Sequence, residues 1–316
     1  MRRELPALIG SRLLLAFVTL MIVSFTIFFA TEMLPGDVAQ ILLGQSATPA
    51  AVAGLRAAMH LNDPAVLRFL RWLGGLATGH LGTSYANNMP VSALIGGRLV
   101  NTLELAGLTS LISVPLALAL GISCASLQGS LYDRVVSALT IGVISVPEFM
   151  IATTAVLIFA VYLHWLPALS FVFEIHSFDQ MLQVYAMPVM TLSCVISAQM
   201  IRMTRAAVID ALNKPYAEMA LLKGASRSRV VLRHALPNAL GPIVNAIALS
   251  LSYLLGGVII VETIFNYPGI AKLMVDAVST RDLPLIQTCA MVFCLGYVLL
   301  ITAADVIAIM ANPRLR

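Results

Sequence analysis

Residues 216–240 read YAEMALLKGASRSRVVLRHALPNAL. This charged, patterned stretch leads from one long apolar run, 180–201, into another, 235–261, and neither run contains Asp, Glu, Lys or Arg. Working outward, four more runs of the same kind appear at 13–31, 105–132, 135–163 and 283–304, with one carboxylate, Glu148, inside 135–163. A helix needs roughly 20 mostly apolar residues to cross the ~30 Å hydrocarbon core of a bilayer. The chain is 59% hydrophobic and 11% charged over its 316 residues, with a mean hydropathy of +0.93. That exceeds what a soluble core of this size requires. Backbone polar groups in lipid must be satisfied within the segment, so the runs are expected to be helices. A barrel would show alternating strands of ~10 residues, and none appear. The expected fold is an all-α polytopic membrane protein with six transmembrane helices.

Charge orients these spans. Arg2, Arg3, Arg12, Arg134, Arg202, Arg205, Lys214, Lys223, Arg227, Arg229, Arg233, Arg314 and Arg316 fall on one side and make up 13 of the 19 basic residues. The positive-inside bias puts that side, with both termini and the 216–240 loop, in the cytoplasm. The basic pI of about 9.0 then reads as topology, with no nucleic-acid partner. The run after Arg2 and Arg3 is too long for a secretory signal, and its exit, FFATEMLPGD, offers no small-residue cleavage site; a retained anchor is expected. The organisation follows as 1–31 (tail and first helix), 32–103 (a small, helical extracytoplasmic cap) and 104–316 (a five-helix core). The cytoplasmic loop of that core occupies 206–237.

Within the loop, Asn213-Lys214-Pro215 is expected to start a short helix, with Asn213 as N-cap and Pro215 in the first turn. Glu218 falls near its positive end. Gly224 fits the left-handed position that closes a helix. Ser226 is placed to cap a second helix that breaks at Leu236-Pro237, where the fifth span begins. Such a short apolar helix with a charged rim suits docking in a groove on a soluble partner. The competing reading is an amphipathic surface helix held by anionic lipid headgroups.

Several chemistries are excluded. The three lysines are followed by Pro215, Gly224 and Leu273, so no G-x-x-x-x-G-K-[ST] phosphate loop exists. H-E-x-x-H and G-x-S-x-G are absent. The four cysteines lie inside apolar runs without a C-x-x-C pair, and His60, His80, His164, His176 and His234 are scattered, so no metal site is expected. Ionisable groups within spans are the functional suspects. Glu148 and Glu262 are therefore candidates for lining a translocation path, with Glu104 beside them as an interfacial carboxylate.

The spacing of Glu218-Met219-Ala220, Gly224 and Leu236-Pro237 resembles the cytoplasmic "EAA" loop of permease subunits in bacterial ATP-binding-cassette importers. The resemblance extends to the dipeptide/oligopeptide/nickel branch through Leu34-Pro35-Gly36-Asp37, Leu81–Tyr85 (LGTSY), Asn101–Leu105 (NTLEL), Arg202–Arg205 (RMTR), Lys223-Gly224-Ala225, His234-Ala235-Leu236, Val261–Phe265 (VETIF), Pro268-Gly269, Arg281-Asp282 and Asn312-Pro313-Arg314. It covers nearly the whole chain. Departures are Met219 in the middle of the triplet, Leu221-Leu222 before Lys223-Gly224, and Asn312 in the terminal motif. The resemblance implies a type I importer permease fold in the bacterial inner membrane. It implies partners: a second homologous permease subunit, two cytoplasmic ATPase subunits and a periplasmic substrate-binding protein. The cofactor expectation is none in this chain, with ATP and Mg on the ATPases, so the chain is no enzyme by itself. Tyr216, Ala217, Glu218, Met219, Ala220, Lys223, Gly224, Leu236 and Pro237 would form the ATPase-coupling segment. The implied cargo is a di- or oligopeptide. Nickel or another small solute is the alternative of the same architecture, and a membrane scaffold or receptor binding a cytosolic partner is the alternative of another class.

Overall fold

The computed structural model describes residues 4–33, 36–171 and 177–311. Leu34-Pro35, His176 and the terminal Asn312-Pro313-Arg314 lie outside the described residues. Helices account for the architecture. In chain order they are α1 (Glu4–Glu32), α2 (Val38–Leu43), α3 (Pro49–Ala58), α4 (Ala65–Thr78), α5 (Val91–Ser126), α6 (Leu131–Ser145), α7 (Glu148–Ala155), α8 (Phe178–Leu212), α9 (Pro215–Leu222), α10 (Arg227–Val230), α11 (Leu236–Ile264), α12 (Ile270–Thr280) and α13 (Leu283–Ala311).

Among the described residues, five helices are long and apolar enough to cross a bilayer: Ile9–Glu32, Val91–Ser126, Phe178–Leu212, Arg227–Ile264 and Leu283–Ile307. The sixth expected span is a broken pair, Leu131–Ser145 and Glu148–Tyr162, bent by 99°. The break falls at Val146-Pro147, both extended (ψ 128° and 142°). Pro147 has no N–H to continue the α6 ladder, and its ring bars the residue before it from helical backbone. Beyond α7 the chain widens into a π-helical stretch, Val156–Tyr162. A second difference from the sequence reading concerns α5. It starts at Val91, well before residue 105, because Arg98 and Glu104 end a lipid-compatible stretch without ending a helix. Its 36 residues span about 54 Å at ~1.5 Å per residue, more than the hydrocarbon core is thick.

The chain forms two compact units. One comprises 1–14, 104–267 and 299–316; the other comprises 15–103 and 268–298. The division falls within α1, α5 and α13. In the first unit α8 packs along α11, and α6 and α7 pack on α8. Its core near the ends of α5, α8 and α11 is built from Ala125, Val208, Ala211, Val231, Ala235 and Ile243. In the second unit Val91, Ile95, Ile270, Leu273, Leu285 and Cys289 form the core. There α4 lays Phe69 and Trp72 against Phe28 of α1, with ring centroids 5.4 and 5.7 Å away.

Candidate functional site

The segment after α8 begins one residue later than the sequence reading places it. Asn213 closes α8, and the N-cap of α9 is Lys214 (φ −84°, ψ 150°), because Pro215 presets the helical φ of the first position. Ala217 is fully buried, on the side where α9 meets α8, α10 and the π-helical turn Val231–Ala235. Tyr216, Met219 and Leu222 are exposed at 39%, 53% and 76%. Spaced three apart, they make an apolar strip along the free side of α9, and Leu221 widens it. Glu218 sits exposed in the first turn, where a carboxylate is favoured by the helix dipole. Ala220 is half-buried and Lys223 exposed.

Gly224 has φ +84°. Its N–H donates to the Leu221 carbonyl (2.9 Å), and the Ala225 N–H donates to the Ala220 carbonyl (3.1 Å). This double closure satisfies two of the last carbonyls of α9 and requires left-handed backbone, which glycine adopts without steric cost. Ser226 occupies the N-cap of α10 but makes no side-chain cap bond. The expected break at Leu236-Pro237 is absent. Arg227–Ile264 runs as one helical span, because the five-residue π-helical turn immediately before α11 absorbs the missing N–H of Pro237. Leu236 is half-buried and Pro237 exposed.

Beneath this segment lies an ion pair the sequence reading missed. Asp133, at the start of α6, accepts Arg205 Nε at 2.6 Å and Nη2 at 2.8 Å, a bidentate pair joining α6 to α8. The Asp133 side chain is 4% exposed. It also accepts the Gly129 N–H at 2.9 Å, while Ser130 Oγ accepts the Asp133 N–H. A buried carboxylate with this many donors is held in one geometry. In the sequence Arg205 counted as a topology charge and as part of the Arg202–Arg205 run, with nothing to mark its partner 72 positions away.

The two carboxylates expected on the path part company. Glu262 is fully buried. Glu148 is half-buried and opens into a cavity of about 460 Å³ between α6, α7, α8 and α11, whose polar lining is Glu148, Gln199, Arg202, Ser250 and Tyr253. Gly257 makes room for it: a Cβ there would stand 2.8 Å from Glu148 Oε2. Gln199, Ser250 and Tyr253 were not found from sequence, since neutral polar residues in apolar runs carry no pattern of their own. Glu104 accepts a hydrogen bond from the Tyr185 hydroxyl at 2.9 Å, and the Tyr185 ring lies 5.9 Å from that of Tyr267.

In the other unit, motifs distant in sequence close on one another. Asp282, fully buried, accepts the Ser84 hydroxyl, the Tyr85 N–H (3.0 Å) and the Ala86 N–H (3.3 Å). The Asn101 amide donates to the Pro268 carbonyl at 2.9 Å, and Thr102 Oγ1 accepts the Ile270 N–H at 2.9 Å. Asp37 caps α2 through the Ala39 N–H (3.0 Å) and pairs with Arg56 at 2.7 Å. The Arg56 guanidinium holds the Asp37 carboxyl below the usual carboxylate range, against the opposing effect of burial.

Comparison with known proteins decides what this arrangement belongs to. Residues 117–316 match the family described as binding-protein-dependent transport system inner membrane component. Residues 7–106 match the N-terminal part of the membrane component of such systems. The chain belongs to this family. It is a permease component of an ATP-binding-cassette importer, a multi-pass protein of the inner membrane, and the ATPase activity of such systems resides in partner subunits. Members of the family work with ATPase and substrate-binding partners. Among similar proteins, the "Probable peptide ABC transporter permease protein y4tP" of Sinorhizobium fredii is 33% identical over 305 residues, covering 96% of this chain and 97% of that protein. The "Glutathione transport system permease protein GsiC" of Salmonella paratyphi A is 35% identical over the same length and coverage. The protein of that name from Escherichia coli O6:H1 is 34% identical, again with 96% and 97% covered.

Proposed function

We propose that this permease imports short peptides, with α9 as the element through which partner ATPases move it and the Glu148 cavity as part of the translocation path. The observation that carries the reading is α9 itself. A short helix is fixed from below by Ala217 and closed by Gly224, yet among the described residues it leaves Tyr216, Met219 and Leu222 exposed. A rigid helix with a free apolar strip fits a groove on a soluble partner. The basic side chains on and around it favour a cytoplasmic partner, with both termini on that side and 32–103 on the periplasmic side, where a substrate-binding protein would deliver cargo. The path is completed by a second, related permease chain.

Force applied to α9 has a stiff route inward. The Asp133–Arg205 pair ties α8, seven residues before its end, to the start of α6, so displacement of α9 carries both helices. The break at Val146-Pro147 lets α7 swing relative to α6 while Glu148 stays on the cavity wall. ATP binding and hydrolysis on the partners then alternate access to the cavity by biasing two arrangements of these helices. ATP and Mg belong to the partners in this scheme, and this chain takes no cofactor.

Peptide cargo is supported by relatives whose names specify peptides and glutathione, not nickel. The test is reconstitution of the permease pair with its ATPases and binding protein in proteoliposomes. ATP-dependent uptake of a labelled di- or tripeptide is expected. Uptake of nickel alone, or uptake of peptide without ATP, would contradict the reading.

A further inference from the structure

We propose that the Glu148 cavity is a subsite for a small zwitterion, with Glu148 taking a primary ammonium group and Arg202 a carboxylate. The permease itself then selects for a free amino terminus during passage. This rests on the reading of the cavity as part of the path and names what that path recognises.

The chain pairs its other enclosed carboxylates. Asp133 is held by Arg205, Asp282 by three donors, and Asp37 by Arg56. Glu148 is the exception: half-buried within a membrane span, it has no hydrogen-bond or ion-pair partner among the described residues. An ionisable group in such a position faces water, a counter-charge or a ligand. Arg202 lines the same cavity with no carboxylate partner among the described residues, its guanidinium donating to Gln199 Oε1 at 3.4 Å. A half-buried anion and an exposed cation therefore line a single space without pairing with each other.

A third observation is independent of charge. Ser250 is 1% exposed and lines this cavity, yet its hydroxyl has no hydrogen-bond partner among the described residues. Leaving a buried hydroxyl unsatisfied costs about 1–3 kcal/mol, and a peptide amide in the cavity would relieve that cost. Tyr253 and Gln199 add further polar groups to the wall. The volume of about 460 Å³ falls within the roughly 300–1,000 Å³ typical of small-molecule sites. The absence of a side chain at Gly257 leaves room for the Glu148 carboxylate, whose Oε2 would stand 2.8 Å from a Cβ there. A single carboxylate flanked by an amide and hydroxyls suits an ammonium group, whose three donors need acceptors and whose charge needs one anion.

The experiment uses the assembled transporter in nanodiscs, without binding protein, carrying Ile144→Cys as a reporter. Ile144 lines the cavity, is 37% exposed and supplies no polar group to the subsite. Modification of residue 144 by a water-soluble thiol reagent is read by mass spectrometry. The probes are alanyl-alanine, its N-acetyl derivative and its C-terminal amide. Alanyl-alanine is expected to protect the reporter thiol at about tenfold lower concentration than the N-acetyl form. Glu148→Gln should erase that difference, and Arg202→Gln should erase the preference for the free carboxylate over the amide. Should Glu148→Gln fail to assemble, Gly257→Ala, which crowds the carboxylate, serves in its place and should weaken the same preference. Equal protection by all three probes, or protection by none, overturns the zwitterion subsite while leaving the cavity in the path. Absence of modification at residue 144 in every nucleotide state overturns the path reading itself.

Discussion

The two compact units differ in how many buried polar groups they leave unpartnered among the described residues: one, Trp72 Nε1, in the unit of 15–103 and 268–298, and several in the other. In the unit of 15–103 and 268–298, side chains from separate motifs satisfy one another: Ser84 and the Tyr85 and Ala86 backbone on Asp282, Asn101 on Pro268, Thr102 on Ile270. In the unit that contains α6 to α11, buried hydroxyls of Thr109, Thr191, Ser197, Thr204 and Ser250 lack partners among the described residues. That same unit holds the broken pair α6–α7 and both π-helical turns. A closed polar network has one favourable arrangement. Helices with leftover hydroxyls and interrupted ladders have more than one of similar energy, which is what a moving part requires. Under the proposed function, the unit of 15–103 and 268–298 holds its shape and the unit containing α6 to α11 changes it.

The sharpest way to break this contrast is at Gly224. A Cβ there would meet nothing within 4 Å, so Gly224→Val acts through the backbone alone, at φ +84°, where a β-branched residue is strained by about 1–3 kcal/mol. Import should be lost and ATPase co-purification weakened, with membrane insertion unchanged; transport assays and pull-down check both. Next comes Asp133→Asn, which strands the Arg205 charge and should lower stability by about 3–5 kcal/mol, read as a thermal shift in detergent. Arg205→Lys with Asp133 intact should cost less, since the ammonium keeps the charge but cannot make the two-pronged contact. In the static unit, Asp282→Ala orphans three donors and should destabilise by about 1–3 kcal/mol. Transport per folded molecule should stay near wild type, and a large fall in that ratio would erase the contrast between the units.

The smallest expected effect sharpens the same boundary. The Asp37 carboxyl is held below its ordinary range by Arg56, so the pair's contribution is complete above that range and is lost as pH falls through the lowered value. Both side chains reach solvent, so the contribution is at most about 1 kcal/mol. Arg56→Ala should flatten the acid limb of the stability curve slightly and leave import unchanged.

Much of this architecture was legible in the sequence, for identifiable reasons. The apolar runs marked the spans because lipid tolerates little else. Gly224 announced the end of α9 because only glycine takes that backbone cheaply. Pro147 was not readable as a break, since Pro115, Pro188 and Pro242 sit inside continuous helices of the same protein. Pro237 misled in the opposite direction, because a π-helical turn is set by i→i+5 bonding and leaves no compositional trace. Asp133 with Arg205, and Glu148 with Arg202 and Ser250, are meetings of residues from different helices. Local pattern has no access to them.

The account turns on α9 facing the cytoplasm and being covered by an ATPase. Leu222, 76% exposed at the end of α9, reports on both. Leu222→Cys should react with a membrane-impermeant maleimide in inside-out vesicles and not in right-side-out ones, and it should become shielded when the ATPase subunits are added back. Reaction from the outer face, or reaction from the inner face that the ATPases leave unchanged, would contradict it.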